Sequence, residues 1–201
     1  MDITVEDLER TVNSDLTTAI KTSSISFGQL ILEINLEDLY STILYLKTNS
    51  KCRFKQLIDI TAVDYPDQNK RFKIVYFLLS HENNLRSIIN INIEENTLIP
   101  SIIKVFPSAN WMEREVFDMY GIKFKDHPNL KRILSDYGFE GHPLRKDFPL
   151  TGHTEVRYSE EKKKVIYEPV KLNQEYRKFD SESPWEGTKY IREEEKKIEK
   201  K

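Results

Sequence analysis

Glycine and proline are spread unevenly, and that asymmetry decides what each half of this chain can build. Ten of the fourteen lie after Tyr120, in the last 81 of 201 residues. The first 120 residues therefore meet few obstacles to regular elements. The remainder is interrupted every few residues by a turn former. Charge divides at the same place: residues 1–120 carry 12 bases and 17 acids, residues 121–180 carry 13 bases and 10 acids. No internal repeat is visible at any period.

In the first half the periodicity is plain. Val5, Leu8, Val12 and Leu16 recur at helical spacing, running on to Ala19 and Ile20, with Thr4 placed to cap and Asp7 three residues further on. Gln29–Asn35 alternates, with Leu30, Leu32 and Ile34 on one face of a half-buried strand. Asn35 can cap a second helix whose stripe is Leu36, Leu39, Tyr40, Ile43 and Leu46. Three strand candidates follow, Phe54–Val63, Phe72–Leu79 and Arg86–Ile93, joined by short turns near Pro66-Asp67 and Glu82-Asn83-Asn84. Phe72–Leu79 is apolar on both faces, which predicts a central strand. A short helix is predicted at Ile102–Phe106, Pro107 interrupts it, and Ser108 or Asn110 caps another over Trp111–Tyr120. Gly121 stands where a left-handed residue would end that helix. The fold class is therefore α+β: residues 1–121 form a compact domain, a mostly antiparallel sheet of about four strands with helices on one face.

From Ile122 to residue 187 the periodicity fades but aromatics persist, with Phe124, Tyr137, Phe139, Phe148, Tyr158, Tyr167, Tyr176, Phe179 and Trp185 set among Gly and Pro. Such a segment is too aromatic for a linker and too poor in aliphatics for its own core. Ordering about 60 residues costs on the order of 60 kcal/mol. At about 25 cal/mol per Å², an offset requires roughly 2,400 Å² of apolar burial. An obligate partner supplies that more easily than the chain's own domain. Residues 122–187 are accordingly predicted to be an extended partner-binding arm with little regular structure, the plainer alternative being a long loop folded over the first domain. Residues 188–201 are a mixed-charge tail.

The chemistry a chain like this could carry is narrowed by what it lacks. Lys and Arg total 31 against 33 Asp and Glu, which excludes a generally basic nucleic-acid binder. The single Cys52 excludes an internal disulfide, a Cys-rich zinc site and an iron–sulfur cluster held by this chain alone. There is no Gly-x-Gly-x-x-Gly, no P-loop and no Gly-x-Ser-x-Gly elbow. His127, His142 and His153 each border a turn and match no metal-ligand spacing, so backbone bonding is the simpler expectation. A stand-alone metal-dependent hydrolase using these histidines is the rival reading, a soluble adaptor the third. No apolar run approaches the ~20 residues of a membrane span. The acidic amino terminus resembles neither a secretory signal nor a transit peptide, so the chain is expected to work in the compartment where it is made. Twenty-one Ile and 21 Lys against 3 Ala and 10 Arg point to AT-rich coding, as in a mitochondrial or a reduced bacterial genome.

A long string after Trp111 carries a family resemblance. Glu113-Arg114-Glu115, Asp118-Met119-Tyr120-Gly121-Ile122 and His127-Pro128-Asn129-Leu130-Lys131-Arg132-Ile133-Leu134 are followed by an unbroken run from Asp136 through Gly141-His142-Pro143-Leu144-Arg145-Lys146-Asp147-Phe148 to Leu150. Matches continue at Glu155-Val156-Arg157-Tyr158, Glu168-Pro169-Val170, Gln174-Glu175-Tyr176-Arg177, Phe179-Asp180 and Ser183-Pro184-Trp185-Glu186. This resembles the C subunit of the proton-pumping NADH:quinone oxidoreductase, respiratory complex I. Asn129, Lys131 and His153 depart from the usual residues, and the extension after Tyr190 is unmatched.

The resemblance implies a non-catalytic scaffolding subunit of the hydrophilic arm. It implies no cofactor on this chain; FMN, iron–sulfur clusters, NADH and quinone belong to partner subunits. The implied partners are the large quinone-cavity subunit and the ferredoxin-like cluster subunit, with no nucleic acid and no homo-oligomer. The membrane is met only through the complex, at the matrix side of the mitochondrial inner membrane or the cytoplasmic face of a bacterial one. The implied subunit interface runs through Glu113, Arg114, Glu115, Asp118, Tyr120, His127, Arg132, Tyr137, Phe139, His142, Arg145, Asp147, Phe148, Arg157, Gln174, Arg177, Phe179 and Trp185. Arg132, Arg145 and Arg177 suit partner carboxylates, and Glu113, Glu115 and Asp118 suit partner cations. Internal salt bridges holding the arm to its own domain would use the same residues equally well.

Overall fold

Thr4 sets the first helix. In the computed structural model, which describes residues 3–172 and 174, its hydroxyl accepts the Asp7 N–H at 3.2 Å and α1 runs Val5–Asp15. The chain then forms β1 (Ile20–Ser26) and β2 (Gln29–Ile34), joined through Phe27 and Gly28 at φ 50° and 70°. Two successive positive φ values are what a tight two-residue hairpin demands. Helix α2 covers Leu39–Thr48, beginning three residues later than the Leu36 stripe implies. Asn35 instead spends its side-chain amide on the Thr18 carbonyl at 3.1 Å.

β3 (Gln56–Asp64), β4 (Phe72–Ser80) and β5 (Leu85–Ile93) follow as an antiparallel meander. The sheet has five strands rather than four, in the order β1-β2-β5-β4-β3. β2 lies parallel to β5, and Phe72–Leu79, in β4, is the interior strand its apolar faces predict, flanked by β5 and β3. Register places Ile60 beside Tyr76 and Ile89 beside both Tyr76 and Leu32. These residues, with Leu30, Ile34, Ile74 and Ile91, make one buried face. Leu8 and Val12 of α1 and Leu39, Ile43 and Leu46 of α2 close over it in a single core. Cys52 is part of that core, and burial pushes its thiol up to about 11, leaving a packing residue rather than a nucleophile.

β6 (Leu98–Pro100) leads into a single turn rather than a helix: the Val105 and Phe106 N–H groups both donate to the Ile102 carbonyl at 2.9 Å. α3 (Ala109–Tyr120) then packs against β3, and β7 (Lys123–Lys125) returns parallel to β6. Among the described residues no helix is long and apolar enough to cross a membrane. Residues up to Gly152 belong to one compact unit, so 122–152 is part of it rather than of a separate arm. The described residues from His153 onward form a second unit, a hairpin of β8 (Thr154–Ser159) and β9 (Lys164–Pro169).

Candidate functional site

The residues marked by the family resemblance converge at the carboxyl end of α3. Asp118, fully buried, is the hub. Its Oδ2 accepts the N–H groups of Ile133, Leu134 and Ser135 at 2.9, 2.7 and 3.0 Å. Its Oδ1 accepts Arg132 Nε at 2.6 Å and the Ser135 hydroxyl. Three consecutive backbone N–H groups around one carboxylate make an anion nest whose occupant is supplied by the chain itself. Burial alone would raise the Asp118 carboxyl, but the donors from Ser135, Arg132 and Leu134 outweigh it and hold the group far below its ordinary value.

Arg132 spreads its remaining donors over the turn it closes. Nη1 donates to the Phe139 carbonyl at 2.7 Å, Nη2 to the Gly141 carbonyl, and the guanidinium lies 5.4 Å from the Phe139 ring centre. Phe139 in turn meets Phe148, ring centres 5.9 Å apart. His142 Nδ1 donates to the Asp118 carbonyl at 2.9 Å, and burial lowers its pKa. Arg145 Nε donates to the Tyr120 carbonyl at 2.6 Å and its Nη1 pairs with Glu95 at 2.8 Å. The exposed carbonyls at the end of α3 are thus capped by side chains of the segment that follows.

Gly121 makes this closeness available. Its φ of 77° ends α3 in the left-handed region, and a Cβ there would sit 2.6 Å from His142 Nε2 and 2.7 Å from Arg145 Nη2. Any other residue would be strained twice over.

A second anchor joins the far end of the segment to the sheet. Asp64, the last residue of β3, accepts Arg71 Nε and Nη2 at 2.7 and 2.9 Å and the Lys146 N–H at 2.7 Å. The Arg71 pairing and that N–H together hold its carboxyl below the ordinary value against burial. Arg71 Nη2 also bonds Asp147 at 2.9 Å. Arg71 and Arg145 lie against Phe72, 5.1 and 5.3 Å from its ring centre, while Tyr120 meets the same ring edge-on at 6.5 Å.

The structure therefore brings Asp118, Tyr120, Arg132, Phe139, His142, Arg145, Asp147 and Phe148 into one internal assembly. Over residues 122–152 these bonds run to the chain's own domain, the arrangement of the plainer alternative. Counting apolar burial alone hides this, because the anchors are buried carboxylates and guanidinium groups. Arg114 donates to the Lys131 carbonyl at 2.9 Å and lies over Trp111. His127 Nε2 donates to the Asn110 carbonyl at 3.2 Å, and its Nδ1 accepts the Asn129 N–H at 3.0 Å. Among the described residues no group of three or more His, Cys, Asp or Glu side chains is arranged to hold a metal ion. Glu113 is turned inward, bonded to Ser101 and Ile102, rather than outward to a cation.

Glu115 and Tyr137 are exposed, Tyr137 completely, and Gln174 is exposed as well. Arg157 is paired with Glu168 across the β8–β9 hairpin. Arg177, Phe179 and Trp185 lie outside the described residues. Three members of the second anchor, Asp64, Arg71 and Glu95, carry no motif. A signal for one exists: Asp64 falls on the same strand parity as buried Ile60 and Ala62, and a carboxylate there demands a buried partner.

The fold is α+β, and Asp118, Arg132, His142 and Arg145 of the marked set are bonded within the chain. Residues 32–154 match the family described as respiratory-chain NADH dehydrogenase, 30 Kd subunit. The chain is 51% identical over 187 residues to the NADH-quinone oxidoreductase C subunit of Ruegeria sp. (strain TM1040), covering 93% of each. It is 58% identical over 163 residues to that of Roseobacter denitrificans, covering 81% of this chain and 82% of the relative. Among solved structures, a chain of the membrane-bound sulfane sulfur reductase, an archaeal respiratory membrane complex, shares the fold: TM-score 0.63 at 22% identity, over 72% of this chain and 85% of that one. This chain belongs to the 30 Kd subunit family of the respiratory NADH dehydrogenase, which includes the bacterial NADH-quinone oxidoreductase C subunits just named.

Proposed function

We propose that this chain is a non-catalytic structural subunit of the hydrophilic arm of an NADH:quinone oxidoreductase, and that it joins neighbouring subunits through the hairpin and the residues beyond it. The observation that carries this reading is the hairpin's composition by face. Val156 stands opposite Tyr167 and Tyr158 opposite Val165, and the four are 54%, 58%, 53% and 54% exposed. The other face holds Glu155, Arg157, Lys164 and Glu168 together with half-buried Ile166 and buried Ser159. A two-stranded hairpin is marginal in water by itself, and one with an apolar face left to solvent is built to be covered. The occupants are the large quinone-cavity subunit and the ferredoxin-like cluster subunit. FMN, clusters, NADH and quinone reside on partners, which transfer electrons from NADH to quinone with proton translocation. The complex sits at the matrix side of the mitochondrial inner membrane, a placement favoured by the coding bias; the relatives named above are bacterial, for which the corresponding site is the cytoplasmic face of the plasma membrane.

A native pull-down of the tagged chain, read by mass spectrometry, tests this. Cluster-bearing and quinone-cavity subunits should co-purify, and a Val156→Asp/Val165→Asp double variant should recover them at least tenfold less well. Undiminished recovery by that variant removes the hairpin from the interface.

A further inference from the structure

One ionisable group in the core is used by neither the anchors nor the hairpin. Glu113, on the second turn of α3, has no exposed surface. Its Oε2 accepts the Ser101 hydroxyl at 2.7 Å and its Oε1 accepts the Ile102 N–H at 2.8 Å. Both donors are neutral. Asp118, five residues on, has a guanidinium and four further donors.

The charged groups around Glu113 all turn elsewhere. On α3, Arg114 serves the Lys131 carbonyl, Glu115 is exposed and Asp118 is paired with Arg132. On β7, Lys123 and Lys125 are exposed on either side of inward Phe124, and Lys104 of the preceding turn is exposed too. On β3, which packs against α3, Asp64 is taken by Arg71 and the Lys146 N–H. β4 contributes Tyr76, fully buried, whose hydroxyl has no hydrogen-bond partner among the described residues and lies within the field of Glu113. A carboxylate there has no counter-charge, and burial pushes the Glu113 carboxyl up to about 7.

We propose that Glu113 is a proton-binding latch between β6 and α3, a carboxyl that gains and loses a proton without leaving the core. Its charged form grips the Ser101 hydroxyl and the Ile102 amide strongly; its neutral form holds them weakly. Ser101 also donates its N–H to the Lys125 carbonyl at 3.0 Å, so the latch acts on the β6–β7 pair as well as on α3. The frame beneath Asp118 is therefore adjusted by one proton.

The test is a carbon-13 NMR titration of glutamate carboxyls in the full chain. One resonance should titrate near pH 7 and be missing from Glu113→Gln, and the Ile102 amide, corrected for base-catalysed exchange, should become more protected across the same midpoint. Ser101→Ala removes a donor to the charged form and should move the midpoint up by about one to two pH units. That variant keeps the carboxyl and serves even if Glu113→Gln does not fold. Ordinary midpoints for every glutamate, Ile102 protection indifferent to pH, or a midpoint that Ser101→Ala leaves in place would each overturn the latch.

Discussion

Residues 122–152 and the hairpin of residues 154–169 follow one another in a stretch poor in aliphatic residues, yet they solve the problem of order in opposite ways. The first keeps its polar groups inside, where the Asp118 and Asp64 carboxylates collect backbone N–H groups and guanidinium donors from their own chain. The second puts Val156, Tyr158, Val165 and Tyr167 on one outward face. The comparison teaches that apolar content does not by itself tell a segment held by its own chain from one that leaves its apolar side chains exposed. What separates them is whether buried charges close a hydrogen-bond circuit within the chain.

The largest break in this contrast should come from Asp118→Ala. It strands three N–H groups and leaves Arg132 without its carboxylate, and breaking a buried pair typically costs about 3–5 kcal/mol. Denaturant unfolding should show that loss, and limited proteolysis should now cut within 131–148. Full retention of stability would mean that the nest contributes nothing to holding the segment.

Two acids on α3 should bend stability with pH in opposite directions. Asp118 is held below its ordinary value, so its contribution is complete above that value and disappears as pH falls through the folded pKa. Glu113 is raised from 4.5 to about 7, so its contribution is complete below about 4.5 and is lost as pH rises through 7, roughly 3 kcal/mol in all. Unfolding free energy measured from pH 4 to 8 should therefore decline between about 4.5 and 7 and level off above that in the parent chain, a decline missing from Glu113→Gln.

Gly121→Ala comes next, at about 2 kcal/mol for a side chain in the left-handed region and for displacing His142 and Arg145. A fall in melting temperature with weakened protection of the Leu144 amide, which bonds the Met119 carbonyl at 3.1 Å, is the expected reading. A neutral effect would show that the two side chains move aside freely.

How much of this the sequence discloses depends on the range of the interaction. α1, β2, the β3–β5 meander, α3 and its Gly121 stop are written in periodicity and capping, which act over a few residues. β1 escapes because an edge strand needs little apolar content, and Lys21-Thr22-Ser23-Ser24 has none. Phe27-Gly28 is also a less familiar hairpin turn than Asn-Gly. The β8–β9 hairpin does alternate, but it lies within a stretch whose Gly and Pro argue against strands. The pairing of Asp64 with the Lys146 amide spans 82 residues, and no local pattern encodes it. Arg132 and Arg145 are recognisable as pairing residues; that their partners lie in the same chain is not.

The smallest effect on the isolated chain is the most informative about the second region. Val156→Asp and Val165→Asp replace side chains already more than half exposed, so they remove little burial and should change folding stability by less than about 0.5 kcal/mol. If the apolar face is covered in the assembled complex, each substitution instead costs the transfer of a buried valine, about 1.5–3 kcal/mol, plus the burial of a charge. The pair should then weaken assembly at least a hundredfold while leaving the melting curve in place. Asp118→Ala should do the reverse, lowering stability first and assembly only as a consequence. A hairpin variant that unfolds the chain, or one that assembles normally, would remove the hairpin from the proposed interface and with it the contrast to residues 122–152.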